Sequence, residues 1–175
     1  DWFQLTLKEG LTVFRDQQFT SDMRNTVEKR IKDVILLRSN QFLEDSGPNK
    51  HSIRPERYLE INNFYTTTVY EKGAEVIRMI SNYVGEKTFI KCVFLFLKKF
   101  DGMAVTCEDF INSIQHFSKK KIINFLMWYK QKGTINLHVK RLYRPDINGF
   151  EIEFRQVNKF SRINVPIPIN LSFFD

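Results

Sequence analysis

Two carboxylates near the start of the chain pose its chemical question. Trp2, Leu5, Glu9, Thr12 and Asp16 recur at i, i+3, i+7, i+10 and i+14, the spacing of one face of an α-helix. Trp2 and Leu5 mark that face as buried, which would carry Glu9 and Asp16 into the interior. A buried carboxylate without a partner is strongly unfavourable, so each would have to meet a cation, a metal ion or several hydrogen-bond donors. The competing reading rotates the helix slightly and leaves both acids in water; spacing alone does not choose between the two. A third useful group is Tyr70, which shares a helical face with Gly73, Ala74 and Ile77. Small residues at 73 and 74 let a neighbouring backbone approach closely. Tyr70 then stands at the wall of the space beside that helix, or else is an ordinary core tyrosine with a satisfied hydroxyl.

Other reactive side chains are isolated. The three histidines, His51, His116 and His138, form no i, i+4 pair and read as surface or capping residues rather than ligands. Cys92 and Cys107 lie in no CxxC or Cys/His spacing, so they suggest neither a zinc site nor a redox motif. Two lone thiols fit a reducing compartment and favour the cytoplasm. The formal net charge of +7 raises nucleic acid as a partner. The basic residues are scattered, however, and the one dense run, Lys119-Lys120-Lys121, reads as a solvated helix start. No apolar run approaches the roughly 20 residues that span a bilayer. Neither nucleic acid nor membrane is therefore expected as a partner. Seventeen phenylalanines among 175 residues supply large groups for a core.

These residues need elements to hold them, and the pattern is mainly helical. After the opening helix, Thr20-Ser21-Asp22 offers caps for a long second helix striped by Val27, Ile31, Ile35, Arg38 and Phe42 and ended by Gly47-Pro48. Residues 49–66 lack periodicity, and a loop of that length is usually functional. Helices are predicted over 68–84, stopping at Gly85, and over 87–100, where the apolar run Cys92 to Leu97 reads as buried. Thr106 and Asp109 have capping-box spacing and open a helix through Phe110, Ile114 and Phe117. A further helix is predicted over 120–131 with Ile123, Leu126 and Met127 inward, and Gly133 at its end. The period then changes to two. Ile135, Leu137 and Val139 alternate with polar residues, as do Phe150, Ile152 and Phe154 beyond the turn at 145–149. Val165, Ile167, Ile169, Leu171 and Phe173 do the same, with Pro166 and Pro168 suggesting an edge strand. Three strands cannot bury both faces, so they read as the opening of a β-sandwich, with a domain boundary near Gly133: helical over 1–133, β over 134–175.

Two blocks carry a resemblance. Lys8-Glu9-Gly10-Leu11-Thr12-Val13-Phe14-Arg15-Asp16-Gln17 is similar to the segment after the HExxH helix in the aminopeptidase N family of zinc metallopeptidases. Asn62-Asn63-Phe64-Tyr65-Thr66, running into Val69-Tyr70-Glu71-Lys72-Gly73-Ala74-Glu75-Val76, resembles that family in the expected order and distance, above all its bacterial branch. The likeness runs over nearly the whole chain. It implies the later helical part of a thermolysin-like catalytic domain followed by the first strands of a β-sandwich. It implies one Zn²⁺ with Glu9 as a ligand, and Asp16 orienting a ligand histidine, with a salt bridge from Asp16 to Arg15 or to a distant basic residue as the equal alternative. Tyr70 would donate to the oxyanion as water activated by the metal attacks a peptide carbonyl, and Asn62 and Tyr65 would line the pocket for the first substrate side chain. The chain has no HExxH and no Gly-Ala-Met-Glu-Asn-type segment for a substrate amino terminus. It therefore resembles an internal piece of a larger enzyme, inactive alone, with peptides and the remainder of the same polypeptide as partners. A non-catalytic remnant that keeps only the fold or partner contacts is the alternative, ahead of a basic nucleic-acid module. One departure is Gly133-Thr134-Ile135 where the family has Gly-Thr-Pro, which relaxes a turn without touching the chemistry.

Overall fold

The computed structural model describes residues 2–157 and 164–173; Asp1, 158–163 and the last two residues of the predicted β region lie outside it. Seven α-helices precede one β-hairpin among the described residues: α1 Leu5–Met23, α2 Thr26–Leu36, α3 Phe42–Ser46, α4 Gly73–Val84, α5 Glu86–Lys99, α6 Cys107–Ser118, α7 Leu126–Lys130, then β1 Asn136–Arg144 and β2 Gly149–Val157. Two π-helical turns interrupt the series, Leu37–Gln41 between α2 and α3 and Thr68–Lys72 at the start of α4. A 3₁₀ turn at Ile61–Phe64 is the one helical element in the long connection before Tyr65. The mainly helical architecture with a following β region agrees with the sequence pattern.

The core forms where α4 lies between α1 and α5. Val76, Ile77, Ile80 and Val84 of α4 are buried with Leu7 and Phe14 of α1, Phe89 and Phe96 of α5, and Phe110, Ile111 and Ile114 of α6. Phe14 meets Phe89 edge to face at 5.8 Å between centroids. The capping box of α6 forms as its spacing requires: Asp109 N–H donates to Thr106 Oγ1 and Thr106 N–H donates to Asp109 Oδ2. The hairpin is antiparallel, with Asn136 opposite Val157 and Arg144 opposite Gly149.

Six expectations change. The face of α1 that enters the core is Leu7, Gly10, Phe14 and Gln17, while Trp2, Thr12 and Asp16 are exposed. Packing of Phe14 on α5 and of Gly10 on α4 sets this rotation, which two apolar residues at the helix start could not reveal. α1 runs through Thr20-Ser21-Asp22 to Met23, and the cap of α2 is Asn25, whose side chain accepts from Glu28 N–H. The α2 stripe faces outward, and the apolar run of α5 buries only one side, with Phe94 and Leu97 exposed. Near 120–131 the helix begins late, after Lys119 in the left-handed region; Ile122, Phe125 and Tyr129 are inward and Met127 is exposed. Residues 164–173 form no strand. Pro166 and Pro168 carry no N–H for a ladder, and Val165 instead pairs with the Gln156 side chain through both its N–H and its C=O.

Candidate functional site

The site is built on the contact of two glycines. A glycine inside a helix costs about 1 kcal/mol relative to alanine, so Gly10 on α1 needs a packing reason. The reason is Gly73: a Cβ on Gly10 would stand 2.9 Å from the Gly73 carbonyl carbon, and one on Gly73 would stand 2.5 Å from Thr6 Oγ1. The backbone approach expected at 73 and 74 is therefore realised, with α1 as the neighbour. Thr6 Oγ1 also donates to Val69 C=O at 2.9 Å. Glu9, adjoining Gly10, is brought in this way to Tyr70, three residues before Gly73.

Glu9 is neither fully buried nor in open water. Its side chain is 15% exposed, and its Oε1 pairs with Lys8 Nζ at 2.8 Å. Burial, and then the Glu9 carboxylate alongside, raise the Tyr70 phenol above its usual range. Tyr70 therefore remains a neutral hydroxyl across physiological pH. The hydrogen bond and charge of Glu9 in turn raise the Lys8 ammonium. Tyr65 stacks obliquely near Tyr70, with centroids 6.5 Å apart, and Trp2 stands 6.4 Å beyond it. A shallow cavity of about 300 Å³ is walled by Tyr65, Tyr70, Glu71, Leu36 and Asn40.

Glu9, Tyr65 and Tyr70 thus come together. Asn62 sits exposed on the preceding 3₁₀ turn, where its C=O accepts from Tyr65 N–H at 3.2 Å. Asp16 lies exposed two turns along α1 from Glu9, and the Arg15 guanidinium beside it bonds Gln18 instead. The charge of Asp16 reaches Glu71, whose carboxyl is pushed up by burial and then by Asp33. Among the described residues no three His, Cys, Asp or Glu side chains gather as a metal cluster. Glu9 offers one carboxylate at an accessible rim, which fits a single donor to a metal whose other ligands come from elsewhere. Sequence reasoning missed Lys8, Thr6 and the function of Gly10. The glycine in mid-helix was the readable signal; the other two have none, because their roles depend on what α4 brings beside them.

Comparison with known proteins gives a consistent picture. The Peptidase family M1 domain matches residues 1–129. Aminopeptidase N of Haemophilus influenzae is 43% identical over 180 residues, covering 100% of this chain and 21% of the relative. Aminopeptidase N of Escherichia coli is 48% identical over 156 residues, covering 89% and 18%. The crystal structure of Legionella pneumophila aminopeptidase A in complex with aspartic acid superposes with a TM-score of 0.76 at 35% identity, covering 90% of this chain and 17% of that one. The chain spans about a fifth of the length of these curated relatives.

Proposed function

The chain belongs to peptidase family M1, and from that premise we propose that it is part of a zinc-dependent aminopeptidase that removes N-terminal amino acids from peptides. The observation that carries this reading is the meeting of Glu9 and Tyr70 across the Gly10–Gly73 contact. It sets an accessible carboxylate beside a neutral hydroxyl donor. Glu9 would hold the Zn²⁺ together with ligands outside these residues, and the metal would supply Lewis-acid activation of water and of the carbonyl. Tyr70 donates its hydroxyl proton in a hydrogen bond to the oxygen that gains charge as the carbonyl becomes tetrahedral. A phenol with a fixed ring suits that task because it needs no reorientation when the charge develops. Tyr65 and Asn62 border the space for the first substrate side chain. Asp16 orients a histidine ligand through a hydrogen bond.

In this reading the helical residues 1–133 belong to the catalytic domain and 134–175 begin a β-sandwich. The partners are peptides and the remainder of the polypeptide, not nucleic acid or a membrane. Exposed apolar groups on α2, α3 and both strands, Val27, Ile35, Leu43, Val139 and Phe150 among them, support cover by that remainder. No helix among the described residues is long and apolar enough to cross a membrane. In this reading the protein is cytoplasmic, the compartment that two lone thiols favour. The 175 residues alone are inactive.

Replacing Tyr70 with Phe in the full-length protein tests the reading. Turnover of an aminoacyl anilide should fall roughly 100- to 1000-fold with KM and zinc content little changed, since one donor to the developing charge is lost. A kcat within a few-fold of the parent would remove Tyr70 from the chemistry.

A further inference from the structure

Tyr70 sits at the middle of a π-helical turn, and such turns are rare, occurring mostly as single bulges at functional sites. The wider turn, Thr68–Lys72, closes through Gly73 N–H to Thr68 C=O. Relaxing it to an α-turn would rotate the residues before Gly73 relative to α4 and swing the Tyr70 ring away from Glu9. Bonds from outside the turn therefore hold it in shape.

These bonds converge on two consecutive residues of α3. At the start of the turn, Glu44 Oε2 accepts from both Thr68 N–H at 2.6 Å and Thr68 Oγ1 at 2.5 Å. Thr68 is fully buried, and its oxygen also accepts from Gln41 Nε2 at 3.3 Å, the last residue of the other π-turn. At the end of the turn, Lys72 Nζ donates to Asp45 Oδ2 at 2.7 Å and to Gly133 C=O at 3.0 Å. Asp45 is buried, and its second oxygen takes Gly133 N–H at 3.2 Å.

We propose that Glu44 and Asp45 are positioning residues for Tyr70, gripping the two ends of its π-turn and so fixing where the phenol stands. This rests on the reading of Tyr70 as the donor to the reacting carbonyl. Neither carboxylate touches the substrate space beside Glu9; both act through the backbone that carries the ring. The two grips differ in kind. Glu44 satisfies the first N–H of the turn, an otherwise orphaned donor. Asp45 and Lys72 form a buried ion pair that also fastens Gly133, where the chain leaves the helices for the strands.

The test uses the full-length protein with four variants: Glu44→Ala, Glu44→Gln, Tyr70→Phe and the Glu44→Ala/Tyr70→Phe pair. Glu44→Ala should lower kcat roughly 10- to 100-fold, the scale of a displacement of about 1 Å at a reacting centre. KM and zinc content should hold. Glu44→Gln keeps an acceptor oxygen for Thr68 N–H and should retain most of the rate. The double variant should be no slower than Tyr70→Phe alone, because there is no hydroxyl left to misplace. If the two losses multiply instead, or if Glu44→Ala acts through KM or zinc, or leaves kcat intact, the positioning role is overturned. A near-normal kcat for Tyr70→Phe overturns the reading of Tyr70 itself and the positioning role with it. Should Glu44→Ala fail to fold, Thr68→Val removes the hydroxyl with its bonds to Glu44 and Gln41 and leaves the N–H bond to Glu44 in place. It should slow turnover about fivefold in the parent and not at all in the Tyr70→Phe background; equal slowing in both would overturn the proposal.

Discussion

Helices α2 and α4 have the same kind of pattern in the sequence and opposite fates in the fold. In α4 the apolar stripe of Val76, Ile77, Ile80 and Val84 is buried against α1, α5 and α6. In α2 the stripe of Val27, Ile31 and Ile35 is 68%, 55% and 61% exposed, and the helix turns its charged side inward. Arg30 makes a double hydrogen bond to Glu75 of α4, and Lys29 covers the buried Asp33. Periodicity says that a face favours burial; it does not name the surface that provides it. For α4 that surface lies within this segment, while among the described residues none covers the stripe of α2.

The comparison can be broken or sharpened by substitution. The largest effect belongs to the buried side. Phe14→Ala removes the ring that joins α1, α4 and α5, and should cost about 3–5 kcal/mol in the full-length protein, read by denaturant unfolding. Lys72→Met leaves Asp45 charged and unpaired in the interior and should cost a similar or slightly smaller amount, about 3–4 kcal/mol, with Asp45→Asn/Lys72→Met less harmful than the single change. A milder loss for the single variant would show that water reaches the pair.

Gly10→Ala comes next. Its Cβ must push on Gly73 backbone, which cannot rotate aside, so overpacking of about 1–3 kcal/mol outweighs the roughly 1 kcal/mol gained in helix propensity. It should also lower kcat by separating Glu9 from Tyr70. A stabilised and fully active variant would show that the two backbones are not in obligatory contact.

The polar face of α2 gives a smaller, pH-dependent effect. Burial works to raise the Glu75 carboxyl, but the hydrogen bonds and charges of Arg30 and Arg78 outweigh it and hold it below the usual carboxylate range. A depressed folded pKa means stabilisation that is complete above the unfolded value and lost as the pH falls through the folded one. Glu75→Gln should therefore lower Tm at neutral pH, by the equivalent of about 1 kcal/mol, and the gap from the parent should close in acid. A gap that persists at low pH would assign the effect to packing. The smallest effect is expected on the outward stripe. Ile31→Ser with Ile35→Ser should alter the stability of the 175-residue chain by no more than about 0.5 kcal/mol, and should cost several times more in the full-length protein if the remaining polypeptide covers α2.

Much of this protein was legible in the residues. The Thr106/Asp109 spacing specifies a capping box that local hydrogen bonds alone can satisfy, and it forms. Alternation around the 145–149 turn specifies a hairpin, because adjacent strands need only each other's backbone. Gly73 and Ala74 announce a close approach since nothing else explains two small residues beside Tyr70. What failed to follow depended on partners distant in sequence. The rotation of α1, which exposes Asp16 and leaves Glu9 at a rim, is decided by where Phe14 meets Phe89 and where Gly10 meets Gly73. The segment at 164–173 alternates like a strand, yet its prolines leave the ladder and Gln156 takes up Val165. The π-turn that aims Tyr70 has no local signature at all. It exists because Glu44 and Asp45, more than twenty residues earlier, hold its ends, and only the tertiary structure brings those charges to it.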